Sequence, residues 1–146
     1  MEYNAEQIRG IVEAQRKFFR GGQTLDVDWR VLQLKRLRTQ MKLHEKDITD
    51  ALAEDLGRSE TEAYFCDVGT VILEINEMIQ GLRRWAKPEV RFSGMTCFPS
   101  IFTKIYHKPY GTALIISPFN FPFTLTFGVL AASIAGGNTA VIKTSS

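Results

Sequence analysis

Two cysteines, two histidines and five prolines are all that the 146 residues hold of the residue types that commonly announce a disulfide scaffold, a metal centre or a disordered tract. Cys66 and Cys97 form no CxxC pair and no ligand spacing with His44 or His107, so zinc, disulfides and a secreted framework are not implied. Charge of one sign is also scarce: 18 lysines and arginines face 16 acids, a net charge of +2, which leaves no electrostatic footprint for a nucleic acid partner. Neither a GxGxxG string nor a Walker P-loop is present, so no glycine fingerprint announces a phosphate site. The opening residues, MEYNAEQIRG, lack the apolar core of a signal peptide, and a cytoplasmic location is expected. The one long apolar stretch, residues 112–142, is interrupted by Pro118, Asn120, Pro122, Gly136, Gly137 and Asn138. Those breaks would strand backbone polar groups in hydrocarbon, so no membrane span is expected.

What remains is ordinary globular composition, 45% hydrophobic and 23% charged, enough to build a core. Residues 5–20 place Ile8, Ile11, Val12, Ala14, Phe18 and Phe19 at helical spacing before Gly21 and Gly22, which predicts a helix stopped by glycine. Thr24, Asp26 and Asp28 offer caps for a second helix ending at Gly57. On it Leu34, Leu37 and Met41 face one way, and Arg30, Lys35, Arg38, Lys42 and Lys46 are expected on a solvated face. Ser59 and Glu62 have the S-x-x-E spacing of a capping box and open a third helix. Its apolar positions Phe65, Val68, Ile72, Ile75, Ile79 and Leu82 alternate steps of three and four, widened by Tyr64, Val71, Met78 and Trp85. The stripe is too broad for a coiled-coil seam and reads as core packing.

Pro88 closes that helix and residues 93–99 read as loop. Residues 101–106 and 112–117 mix β-branched and aromatic side chains around the turn Pro109-Tyr110-Gly111, which predicts two strands after three helices. Pro118-Phe119-Asn120-Phe121-Pro122 then breaks the strand, residues 123–135 suit an apolar helix, Gly136-Gly137-Asn138 turns the chain, and residues 139–143 read as strand again. Strand, helix, strand in that order is a βαβ unit of a parallel sheet.

Such a unit leaves both strands ending at one edge, where open α/β sheets bind ligands, and Asn120 and Lys143 fall just there. An asparagine between two prolines is a side-chain dipole on stiff backbone, suited to stabilise an oxyanion; the competing reading is a helix cap. Lys143, followed by Thr144, Ser145 and Ser146, suits ribose hydroxyls or phosphate, or is a solubilising residue at a strand exit.

The strings KPYGTALIISPFNFPF, from Lys108, and AGGNTAVIK, ending at Lys143, resemble the aldehyde dehydrogenase superfamily in its P-[WF]-N-[FY]-P and A-x-G-N-x-x-V-x-K patterns. EDLGRSETEAY, from Glu54, is similar to the short, class 3-like branch, so the resemblance covers the whole chain as an amino-terminal portion. It implies an α/β protein with amino-terminal helices followed by strands and a Rossmann-like βαβ unit, an incomplete aldehyde dehydrogenase fold. Residues 1–97 would be the helical part of the cofactor-binding domain, 98–110 a strand segment of the oligomerisation region, and 111–146 the start of the NAD(P)-binding sheet.

By position the resemblance makes Asn120 the amide that holds a thiohemiacetal oxyanion. Ser117, Pro118 and Phe119 line the nicotinamide side of the cleft, and Lys143 binds the adenosine ribose. Phe119 stands where the family has tryptophan, and Thr144 and Ser146 stand where it has proline and glutamate, so the pattern does not choose between NAD and NADP. The implied partners are an aldehyde and a second copy in a homo-oligomer. The nucleophilic cysteine and general-base glutamate match nothing in the 146 residues; Cys66 and Cys97 read as buried or incidental thiols. The expected function is therefore a portion of an oxidoreductase, itself inactive. The alternative is a non-catalytic module that associates with related chains.

Overall fold

The computed structural model describes residues 3–145. Asn4 opens α1 (Ala5–Arg20) with a reciprocal cap: its side chain accepts from Gln7 N at 2.8 Å and its own N–H donates to Gln7 Oε1 at 2.9 Å. Gly22, at φ +78°, turns the chain away after it, a conformation open to glycine at no steric cost. Asp26 caps α2 (Val27–Leu43) by accepting from Asp28 N at 2.9 Å. The single helix expected to reach Gly57 is two, because His44 leaves helical backbone and its ring pairs with Asp47 of α3 (Glu45–Leu56) at 2.9 Å.

Ser59 starts α4 (Glu60–Ala63) as expected, its hydroxyl accepting from Glu62 N at 3.2 Å. The helix then widens into a π-turn, Tyr64–Val68, before α5 (Gly69–Trp85) resumes ordinary geometry. An extra residue in one turn rotates everything before it relative to everything after it. Phe65, expected on the core stripe, is consequently 69% exposed, whereas Asp67 and Val68 are fully buried. From there the periodicity holds: Val71, Ile72, Ile75 and Leu82 of α5 pack with Val31, Leu34 and Met41 of α2 in the main core. Phe123 and Ala131 close it from the βαβ unit.

The sheet elements form two pairs. β1 (Glu89–Phe92), where no strand was expected, pairs antiparallel with β2 (Phe102–Ile105), from Glu89 opposite Ile105 to Phe92 opposite Phe102. Polar Glu89 and Arg91 alternate with Val90 and Phe92, a two-residue period too short to stand out beside Pro88. This hairpin runs across position 97, the expected end of the helical part. β3 (Thr112–Ile116) and β4 (Thr139–Lys143) pair in parallel through a second π-turn (Thr124–Gly128) and α6 (Val129–Ala135), which is the expected βαβ unit. Its lower end is clamped by Gly111 N donating to Asn138 Oδ1 and Thr139 N donating to Gly111 O, both 2.9 Å.

Arg30 corrects the expectation of a wholly solvated basic face. It is 8% exposed, and its guanidinium donates to the carbonyls of Thr24 (2.5 Å), Leu25 (2.8 Å) and Ala135 (3.3 Å). Burial lowers its pKa from the ordinary guanidinium value, with Asp26 opposing. The fork thus joins the entry of α2 to the exit of α6, and Gly137, at φ +81°, leaves room for it: a Cβ there would sit 2.7 Å from Arg30 Cζ. Arg30→Met, which keeps the aliphatic stem and orphans three carbonyls, is expected to lower unfolding free energy by about 2–3 kcal/mol. Urea unfolding followed by circular dichroism checks it; a change inside measurement error contradicts the bridging role.

Candidate functional site

β3 and β4 end together. Ile116 pairs with Lys143, and Ser117 N donates to Lys143 O at 2.9 Å, so the chain leaves both strands at one edge. Pro118 and Pro122 then prevent the loop from continuing either ladder or helix. Pro118, Phe119 and Asn120 are all exposed, Phe119 by 72%. Among the described residues, the Asn120 side-chain amide and the Lys143 ammonium have no hydrogen-bond or ion-pair partner. Ser117 differs: it is 5% exposed and its hydroxyl turns inward to Thr126. Thr144 and Ser145 are exposed, and Ser146 lies outside the described residues.

The loop is fixed at three points. Thr126 Oγ1 donates its one hydrogen to Pro122 O at 2.5 Å, which leaves Ser117 as donor in the buried Ser117–Thr126 bond. Thr124 donates its backbone N–H to Asp67 Oδ1 at 3.0 Å, and its hydroxyl lies 3.0 Å from the same oxygen. Asp67, with no exposure, is neutralised by Arg58, whose Nη2 donates to Asn120 O at 2.7 Å. The Arg58 guanidinium also stacks over the Phe121 ring, 4.5 Å from its centroid.

Sequence reasoning located Asn120 and Lys143 at the strand ends but missed Arg58, Asp67, Thr124 and Thr126. One signal was present: an aspartate at position 67, amid the apolar positions of a strong helix, needs a buried partner. Of the two readings open for the cysteines, buried or incidental, the exposed one holds: Cys66 faces out because the π-turn turns its neighbours inward instead, and Cys97 is exposed too. Beside the loop opens an apolar cavity of about 630 Å³, lined by Met41 and Ile48 below and by Pro122, Phe127, Ile142 and Thr144 above.

With this geometry in view, comparison with known proteins is decisive about kinship. The aldehyde dehydrogenase family model matches residues 1–146, and the chain belongs to that family. It is 44% identical over 130 residues, 88% of its length, to a 4,4'-diaponeurosporen-aldehyde dehydrogenase of Staphylococcus aureus. It is 39% identical over 140 residues, 95% of its length, to a dimeric NADP-preferring aldehyde dehydrogenase of Canis lupus familiaris. A substrate-bound Staphylococcus aureus AldH structure superposes with TM-score 0.91 at 39% identity, covering 99% of this chain and 31% of that one. The chain spans 28% and 30% of the two curated relatives.

The Ser117–Thr126 pair makes a specific stability prediction. Thr126→Val orphans a buried hydroxyl and is expected to cost about 1–3 kcal/mol, while Ser117→Ala with Thr126→Val removes both partners and costs less than the two single changes summed. A denaturant double-mutant cycle measures it; strict additivity contradicts the pairing.

Proposed function

We propose that these residues form part of an enzyme that oxidises an aldehyde to a carboxylic acid with NAD or NADP through a cysteine thiohemiacetal. The observation that carries this reading is the Asn120 amide, exposed and without a partner among the described residues on a loop held at three points, at the edge where the strand that bears Lys143 ends.

The oxygen of an aldehyde gains negative charge when a thiolate adds to its carbon. A fixed amide N–H already in place stabilises that charge without reorganising, which lowers the barrier to addition. Asn120 supplies that donor. Removing an oxyanion donor of this kind costs about 100- to 1,000-fold in rate.

The residues at the edge also fit a dinucleotide. Lys143 offers an exposed ammonium with no ion pair among the described residues, suited to ribose hydroxyls, and Pro118 and Phe119 offer an exposed apolar wall at the same edge. Ser117, its hydroxyl committed to Thr126, contributes backbone rather than side chain to that wall. When bound, NAD or NADP supplies the two-electron oxidant. In domain terms, residues 1–97 serve as the helical part of the cofactor-binding domain except for β1, which joins the strand within 98–110 in the oligomerisation region, and 111–146 serve as the start of the Rossmann-like sheet.

Neither the nucleophile nor the general base has a counterpart among the 146 residues, so this chain alone is read as inactive. No helix among the described residues is long and apolar enough to cross a membrane, and the cytoplasm is the proposed compartment. The decisive assay compares the 146-residue chain with the complete polypeptide that carries it, following NAD(P)H formation with hexanal and benzaldehyde. The complete polypeptide turns over and the chain alone does not; turnover by the chain alone, or none by the complete polypeptide, contradicts the reading.

A second property has its own support. The β1–β2 hairpin exposes Val90, Phe92, Ile101, Phe102 and Ile105, and each strand leaves one edge unpaired, which favours association with a second copy. Sedimentation of the chain at high concentration is expected to show dimers or larger species, and a stable monomer contradicts homo-oligomerisation through this hairpin. An exposed strand edge also serves the non-catalytic alternative, a truncated module that associates with related chains; a stable monomer at high concentration contradicts that alternative as well.

A further inference from the structure

An oxyanion-binding amide works only if its backbone stays in place, and the groups that hold Asn120 come from a different part of the fold. We propose that Arg58 and Asp67 are positioning residues for Asn120, an inference that rests on the oxyanion reading above.

The Arg58 fork spans two partners: Nη1 meets the buried Asp67 carboxylate, and Nη2 donates to the Asn120 carbonyl at 2.7 Å. Four residues on, the same carboxylate accepts the Thr124 N–H at 3.0 Å. Both ends of the segment from Asn120 to Thr124 are therefore tied to one ion pair, Asn120 to its guanidinium and Thr124 to its carboxylate, while the guanidinium plane covers the Phe121 ring between them. The Arg58 side chain is 10% exposed and Asp67 not at all, so water offers the pair little substitute for these bonds. The carboxylate stands on the π-turn, and without that wider turn Asp67 would not face the loop while Phe65 faces solvent.

Only a planar fork serves both partners at once. Lysine retains the charge that Asp67 requires but is a single ammonium, unable to reproduce the bidentate arrangement. Arg58→Lys therefore separates the two duties: the buried carboxylate stays neutralised, and the Asn120 carbonyl is released. A displacement of about 1 Å in a catalytic group costs on the order of 100-fold in rate.

The test uses the complete polypeptide carrying this segment, with hexanal and NADP+. For the parent, Arg58→Lys, Asn120→Ala and the double variant, it measures kcat/KM for aldehyde, the dinucleotide Kd and the thermal midpoint. Arg58→Lys is expected to lower kcat/KM by about 10- to 100-fold, with Kd and thermal midpoint near the parent values. The double variant is expected to be no worse than Asn120→Ala alone, because both changes act through one amide. The proposal is overturned if Arg58→Lys leaves kcat/KM within about twofold of the parent while Asn120→Ala impairs it, or if the two losses multiply. A parallel fall in thermal midpoint and dinucleotide affinity also overturns it, since that reports a structural role. No effect of Asn120→Ala overturns the oxyanion reading and this inference together.

Discussion

A carboxylate with no exposed surface, Asp67, joins the two halves of this structure. A charge removed from water costs several kcal/mol unless it is paired and hydrogen-bonded, and a pair broken on one side is strongly destabilising. Asp67 meets that demand with Arg58 on one oxygen and Thr124 on the other, and so the helical layer and the βαβ loop cannot separate without stripping the buried carboxylate of its Thr124 bonds and Arg58 of the Asn120 carbonyl. Apolar contacts between α2, α5 and α6 supply the bulk of cohesion but specify no single loop geometry. The directional bonds around Asp67 do.

From that constraint the rest of the site follows in order. Parallel pairing brings the ends of β3 and β4 to one edge, with Ile116 beside Lys143. Two prolines stop the chain from extending the ladder, and Ser117 with Thr126 closes the loop at its base. Arg30 performs a comparable service elsewhere, fastening the exit of α6 to the entry of α2 through three carbonyls. The polar groups without a partner among the described residues at that edge, the Asn120 amide and the Lys143 ammonium, are those to which the proposed function gives chemistry. In family terms the chain belongs with the aldehyde dehydrogenases, and the proposed oxidation assigns each leftover group a duty.

Much of this organisation is legible in the amino-acid string because local signals agree with the fold. Gly22, Asp26, Ser59 and Gly57 act as the helix boundaries their chemistry suggests, and the strand–helix–strand order of residues 112–143 fixes the parallel pair. What stayed hidden are features with no local signature. Insertion of one residue into a helical turn leaves hydrophobic periodicity almost intact, so Phe65 reads as core although it faces solvent. Likewise Arg30 lies among surface-like lysines and arginines, and it is drawn inward by the nearby carbonyls of Thr24 and Leu25 together with the distant one of Ala135. β1 is four residues long and depends on a partner strand whose paired residues lie beyond the intervening loop, from Phe92 opposite Phe102 to Glu89 opposite Ile105, a non-local pairing that a short alternation barely suggests. The place of Asn120 and Lys143 at the strand ends follows from the order of elements, whereas the roles expected of them come from resemblance to a family.

Because the Thr124 N–H is the backbone group through which the buried charge holds the loop, its hydrogen exchange tests the account most directly. The account predicts that this amide, though it sits at the start of a turn beside an exposed loop, exchanges as slowly as amides of α5 in the core. Exchange at the rate of an unprotected loop amide, in protein whose α5 amides remain protected, would show that Asp67 does not anchor the loop.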